Sequence, residues 1–362
     1  MRWLSVLLGP LLLIPLAGLH TTPVNQPPRK ILAAVGRNQA VDPQAIDTFI
    51  TREMRRQRIP GLALAITQGD QVIYVQGYGT DGHGRPVTPQ TQFLIASVSK
   101  SLTAMAVMQL AEAGQVDLDA PVQTYLPEFA LAEPAEITIR QLLNQVSGLS
   151  DNGFPEILLP QPRSLQERIT SLHQARLVAP PGTEFHYFNP NYQILARVVE
   201  VVSGRPFATY LQDRIFSPLG MNSTLTVDRS GEVSQAAERL AKGHLFVFGI
   251  PFAYPEPEGF LQGSGGVIST AEDMAHAMIV QANGGRYQGQ QVVSPESIET
   301  LHTPPSGVDS DYAMGWMESS REGRRILEHS GVISTYSADA VLIPEQNTGI
   351  LLLYNISSLP TN

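Results

Sequence analysis

The chain holds a close pairing of a nucleophile with a base. Ser97 and Lys100 lie three residues apart in QFLIASVSKSLTAMAVMQLAEAGQ, residues 92–115. From Val98 to Ala113 the only charges are Lys100 and Glu112, and Leu102, Met105, Ala106, Val107, Leu110 and Ala111 recur at helical spacing. That pattern predicts a largely buried helix with Ser97 at its start and Lys100 one turn up the same face. Burial and the positive helix end both disfavour an ammonium, so Lys100 should lose its proton more easily than a free lysine. A partly neutral amine beside a hydroxyl is the basis of an activated nucleophile. Taken alone, the pair also fits a plainer reading, in which Ser97 caps the helix and Lys100 snorkels to the surface. Lysine is scarce, however. Lys30, Lys100 and Lys242 are the only three among 24 basic residues, and only Lys100 has a serine three positions before it.

The elements that must position this pair are read along the rest of the chain. Asp42-Pro43 opens a helix running to about Arg58, with Ile46, Phe49, Ile50 and Met54 on one face. Leu62 to Thr67 and Gln71 to Tyr78 alternate around Gly69-Asp70, which predicts a β-hairpin. Helical patterns follow at Thr138 to Asn144, Leu165 to Leu177, Tyr192 to Val202 and Pro206 to Phe216. Residues 243–266, rich in Gly, Pro and aromatics, read as loop. Thr270 to Asp273 forms a capping box before a helix to about Gln281, and another helix runs from Pro295 to Leu301. Apolar runs at Tyr312 to Trp316, Ile326 to His329, Ala338 to Ile343 and Gly349 to Tyr354 read as strands. Strands cluster at both ends and helices fill the middle. The economical arrangement is an α/β (α+β) fold, an antiparallel sheet of N- and C-terminal strands flanked by helices, with a mostly helical region inserted between them.

Composition narrows the function. A chain of 362 residues with 43% hydrophobic and 16% charged residues can bury a sizeable core. The net charge of −9 and the lack of a basic run argue against a nucleic-acid partner. No cysteine is present, so disulfides, a cysteine nucleophile and thiolate metal sites are excluded. The histidines form no metal-ligand spacing, and no metal or cofactor is expected. Arg2 precedes an apolar run from Trp3 to Leu19. Residues 1–20 are therefore expected to be a signal peptide or membrane anchor, giving a secreted or cell-envelope location and a membrane association through residues 3–19. Residues 21–41, with Pro23, Pro27 and Pro28, read as a linker, and residues 42–362 as one catalytic domain.

Two further motifs follow the first in order. Ser97-Val-Ser-Lys100 precedes Tyr187-Phe-Asn189, which precedes His329-Ser-Gly331. With IPGLALAI at 59–66, LLNQVSGLS at 142–150, PGTEFHYFNPNY at 181–192 and GSGGVISTAEDM at 263–274, this order resembles the serine β-lactamase-related family. That family contains class C β-lactamases, low-molecular-weight penicillin-binding proteins, D-aminopeptidases and esterases. The resemblance spans about residues 42–355 and implies the β-lactamase/transpeptidase-like fold. It also implies an acyl-enzyme mechanism, with Ser97 as nucleophile, Lys100 as proton acceptor and Tyr187 as second acid/base. Asn189, His329, Ser330 and Gly331 would bind substrate, and the backbone N–H groups of Ser97 and Val332 would form the oxyanion hole.

The resemblance leaves two readings open. One is a serine hydrolase of small esters, peptides or amides. The other is a penicillin-binding or β-lactamase-type protein, acylated by β-lactam-like compounds with slow or no turnover. Three departures from the family pattern bear on the choice. His329 stands where β-lactamases usually carry lysine, so a carboxylate anchor would depend on its protonation near the reference pKa of about 6.5. Val332 replaces a frequent glycine and should narrow the cleft. The last strand also ends close to Asn362, where relatives usually add a helix. Either the sequence is shortened, or the N-terminal helix covers that sheet face alone.

Overall fold

The computed structural model describes residues 42–233 and 239–357. The expected signal or anchor segment (1–20) and the linker (21–41) lie outside the described residues. Asp42 caps the first helix, α1 (Pro43–Gln57), by accepting from the N–H groups of Gln44 and Ala45, and Pro43 starts it where no N–H is needed. The hairpin follows as β1 (Gly61–Gln68) and β2 (Gln71–Gly79). The chain then enters β3 (Phe93–Leu94), a one-turn 3₁₀ segment at Ala96–Val98, and α2 (Ser99–Glu112), whose first ten residues and Leu110 are buried.

The inserted region carries α3 (Ile139–Leu143), α4 (Leu165–Ser171), α5 (Asn189–Ser203) and α6 (Phe207–Leu211), the last running into a π-turn at Gln212–Phe216. After it come β4 (Leu225–Thr226), β5 (His244–Val247), β6 (Ile250–Ala253) and β7 (Val267–Ser269). Residues 243–266 are therefore not all loop. β5 and β6 pair around a Phe248-Gly249 turn, both residues at positive φ. Next are α7 (Ala271–Ala282), β8 (Arg286–Tyr287), β9 (Gln290–Gln291) and α8 (Pro295–His302). The C-terminal strands are β10 (Tyr312–Ala313), β11 (Trp316–Arg321), β12 (Arg324–Val332), β13 (Ser337–Ile343) and β14 (Thr348–Tyr354). The single strand expected at Tyr312 to Trp316 is instead a reversal, because Met314 and Gly315 both take positive φ.

The large sheet has the order β10-β11-β12-β13-β14-β1-β2, antiparallel throughout, so the first and last strands meet where β1 pairs with β14. This is the α/β arrangement that the distribution of strands implied. Period-two alternation then splits the core into two layers. On one face Leu62, Leu64, Ile66, Ile326, Val341, Ile350 and Leu352 pack against Ile46, Ile50 and Met54 of α1. On the other, Ala63, Ala65, Leu327, Ala340, Leu351 and Leu353 join α2, α5 and α7 in the main core. Among the described residues no helix is long and apolar enough to cross a membrane.

Candidate active site

Ser97 stands at a forced bend. β3 pairs with β7, and the Ile95 N–H reaches the Val267 carbonyl at 3.0 Å, which holds the approach to the bend. Ala96 then takes φ 47°, a left-handed value uncommon for a residue with a side chain. The bend lifts Ser97 out of the sheet layer and starts the helix that carries Lys100.

Lys100 is fully buried, and its Nζ lies 3.1 Å from Ser97 Oγ, 2.8 Å from Asn189 Oδ1 and 2.8 Å from the Ser264 carbonyl oxygen. The two shorter partners can only accept, so two N–H bonds are committed to them. Ser97 is the one neighbour of the three that can donate. A neutral amine would therefore turn its lone pair to the Ser97 hydroxyl. Burial brings the lysine down to about pKa 7, with the charge of Glu156 pulling the other way. Near neutral pH a large fraction of Lys100 is thus in the form that accepts a proton.

Tyr187 precedes α5 and closes the other side. Its ring lies 4.9 Å from Lys100 Nζ and 6.0 Å, edge on, from the ring of Tyr312. The residue is 37% exposed, but its hydroxyl end is turned inward to Ser97. Burial pushes that hydroxyl up, the Ser97 side chain lowers it, and Glu156 raises it again. Tyr187 consequently holds its proton at neutral pH. Asn189 is the first residue of α5, where Pro190 fits the helix start.

The third motif lies on β12. Leu327 belongs to the main core and Ile326 to the α1 layer, so alternation turns His329 and Gly331 to the Ser97 side and Ser330 away from it. His329 is buried. Its Nδ1 lies 2.8 Å from the Ser330 carbonyl and must carry the proton, while Nε2 accepts from the Tyr312 hydroxyl at 3.3 Å. Burial, then the charge of Lys100, lowers its pKa to about 3, offset in part by the Ser330 carbonyl. The expectation of a histidine titrating near its reference value is therefore corrected, and both ring nitrogens are already occupied. The Ser330 hydroxyl donates to Asp339 at 2.8 Å on the α1 side of the sheet, so only its backbone reaches the cleft.

Gly331 serves by what it lacks. A Cβ there would lie 2.2 Å from the Ile95 carbonyl oxygen and 3.1 Å from the Ser97 nitrogen, so only glycine lets β12 approach the bend this closely. The Ile333 N–H bonds to the Tyr336 carbonyl across the hairpin. By alternation the Val332 N–H then points away from β13, along an edge that β11 leaves uncovered beyond Glu328. The N–H groups of Ser97 and Val332 thus border one opening, with the half-exposed Val332 side chain at its rim.

Sequence reasoning missed four contributors. Ser264 supplies a carbonyl to Lys100, Tyr312 fixes His329, and a buried Glu156–Arg168 ion pair of 3.2 Å stands behind Asn189. Ser264 lies in a stretch legible only as a flanking match and Tyr312 in one read only as a strand, and nothing local marks Glu156 or Arg168.

Comparison with known proteins agrees with this architecture. The Beta-lactamase family pattern matches residues 46–361. "Protein flp" of Staphylococcus aureus (strain MW2) is 28% identical over 331 residues, covering 87% of this chain and 63% of that protein. "Unguisins hydrolase ungD'" of Aspergillus campestris is 26% identical over 328 residues, covering 84% of this chain and 60% of its own. The chain therefore spans less than two thirds of these relatives' length. A solved structure, the octameric penicillin-binding protein homologue from Pyrococcus abyssi, superposes with a TM-score of 0.74 at 28% identity over 88% of this chain and 74% of that one. With the match covering nearly all the described residues, the chain belongs to the Beta-lactamase family, as its ordered motifs implied.

Proposed function

We propose that the protein is a serine hydrolase that forms an acyl-enzyme on Ser97 and acts on small esters, peptides or amides. The observation that carries this reading is the environment of Lys100, whose two shorter hydrogen bonds leave Ser97 as the partner for its lone pair. In the first step Lys100 accepts the Ser97 proton as Oγ attacks the substrate carbonyl. The N–H groups of Ser97 and Val332 would hold the resulting oxyanion. Tyr187, which keeps its proton, suits donation to the leaving group, and Lys100 restores it with the proton taken from Ser97. Water then attacks the acyl group by the reverse proton path and frees Ser97.

The neutral, fully engaged His329 supports a preference for substrates without a carboxylate. A β-lactam would find no ammonium there, which forgoes a charge-assisted bond of roughly 1.5–3 kcal/mol. The relatives' names, a hydrolase and a penicillin-binding protein homologue, agree with either acyl-enzyme reading. The apolar run at 3–19 supports export, which we propose as the accompanying location.

The test pairs p-nitrophenyl acetate with a chromogenic cephalosporin on wild type and Ser97→Ala. Ester turnover that vanishes in Ser97→Ala, with slower cephalosporin turnover, supports the proposal. Ester hydrolysis unaffected by Ser97→Ala removes it. A burst of cephalosporin acylation with no turnover of either compound favours the penicillin-binding type.

A further inference from the structure

Behind the site lies a buried charge pair that the proton path does not touch. Glu156 begins a single 3₁₀ turn at Glu156–Leu158, and Arg168 sits on α4. Their side chains are 8% and 1% exposed and meet at 3.2 Å. Arg168 is flanked by the rings of Phe154 and Phe260, each 5.8 Å away, and its Nε has no partner. Burying two charges costs more than their attraction returns in many proteins, and an apolar pair of similar size would serve packing as well or better. The placement of the pair offers another reason for it.

Asn189 bridges Glu156 and Lys100. Its Oδ1 accepts from Lys100 Nζ at 2.8 Å, and its side chain lies on the path to Glu156, whose ionised form it favours. Burial raises the pKa of Glu156 and the charge of Arg168 works against that; the ionised carboxylate that Arg168 favours can only accept, so it must face the amide nitrogen. We propose that Glu156, held by Arg168, is a positioning residue for the Ser97–Lys100 pair. It fixes the Asn189 carboxamide with its oxygen toward Lys100 and sets a negative charge behind the lysine. This rests on the hydrolase reading above. Without the carboxylate, the amide is free to turn its NH₂ to Lys100. The lysine lone pair would then be drawn to Asn189 rather than to Ser97.

The second effect is electrostatic. The groups facing Glu156 are Arg168, Asp151, Lys100 and Tyr187, besides Asn189. Those facing Lys100 are Glu156, Ser97, Tyr187, Tyr192 and His329. Of these Glu156 is the one that opposes the burial of the ammonium. Removing its charge makes Lys100 still more acidic and shifts its titration to lower pH.

The chain has only three lysines, so lysine labelled with ¹³C at Cε lets NMR follow Lys100 directly, assigned by the resonance lost in Lys100→Ala. In the full chain the wild-type midpoint should fall near 7. In Glu156→Gln it should move down by about one pH unit, with the acidic limb of kcat/KM for p-nitrophenyl acetate. Above the limb kcat should fall about tenfold, because the amide is no longer held. Arg168→Leu should act in the same direction by leaving Glu156 to take up a proton, and Arg168→Lys should restore most of the loss.

A folded Glu156→Gln protein whose Lys100 midpoint and kcat both match wild type overturns the inference, even if its Tm falls. If Glu156→Gln does not fold, Glu156→Gln with Arg168→Leu removes both buried charges and carries the same test. The NMR titration needs no activity. A hydrolase reading lost through Ser97→Ala therefore leaves the influence of Glu156 on Lys100 to be decided separately.

Discussion

The hydroxyl of Tyr312 stands 3.3 Å from Nε2 of His329 and fills the one ring position that could otherwise meet a substrate. With Nδ1 donating to the Ser330 carbonyl, the ring is locked as a neutral tautomer, and its pKa of about 3 keeps it neutral through the working range. A carboxylate substrate should therefore gain nothing as pH falls from 8 to 5. The ratio of kcat/KM for a carboxylate-bearing ester to that for its uncharged analogue should stay flat across that interval. A ratio that climbs severalfold below pH 6.5 would show that His329 does take up a proton.

The same burial acts on stability. His302 is held by Gln281 Oε1 at 2.9 Å from its Nε2 and packs edge on against Trp316. Burial, then the nearby Arg325, lowers its pKa to about 3, as burial does for His329. The sign follows from proton counts. Between about pH 3 and the unfolded value of about 6.5 the unfolded chain binds more protons, so this contribution is complete above 6.5 and lost as pH falls toward 3. Each histidine can contribute up to about 1.4 kcal/mol per pH unit in that window. Urea unfolding between pH 4 and 8 should show a shallower acid decline in His302→Gln than in wild type. Equal slopes would mean that His302 is protonated inside the fold.

How much was legible varied with the kind of signal. The β1–β2 hairpin showed in its alternation around Gly69-Asp70, and α1 in its Asp42-Pro43 start, because local chemistry decides both. The β5–β6 hairpin was read as loop because glycine, proline and aromatics hid a short pairing that closes on a left-handed Phe248. Within the site, Ser97, Lys100 and Asn189 were readable from motif order. Ser330 was expected to bind substrate, yet alternation turns its side chain opposite to His329 and onto Asp339. Glu156 was not readable, because its meaning comes from Arg168, Asn189 and Lys100, which belong to three separate segments.

Gly331 tests the approach of β12 to the catalytic bend. A Cβ at 2.2 Å from the Ile95 carbonyl must push back the Ala96–Ser97 turn, since the obstacle is backbone and cannot rotate away. Gly331→Ala should cost about 1–3 kcal/mol of stability, as overpacking does. It should lower kcat at least about tenfold, through a shifted Ser97 N–H. Fluorophosphonate labelling of Ser97 should slow in parallel. Unchanged kcat in a folded Gly331→Ala protein would mean that this strand does not set the oxyanion donors.

The proton path gives the sharpest kinetic expectation. Lys100 must be neutral to take the Ser97 proton, and its pKa of about 7 places the acidic limb of kcat/KM near that pH, activity rising as pH rises. Tyr187 must be protonated to serve the leaving group, and its raised value keeps it so throughout that rise. Lys100→Ala and Tyr187→Phe should each lower kcat by about 10²–10⁴-fold. The double variant should lose less than the product of the two, because both groups act on one transfer. Tyr187→Phe should keep the limb near 7, whereas Lys100→Ala should abolish it. These outcomes separate the roles. A limb that survives in Lys100→Ala would assign the titration to another group, and an undiminished rate in Tyr187→Phe would leave Lys100 to return the proton by itself.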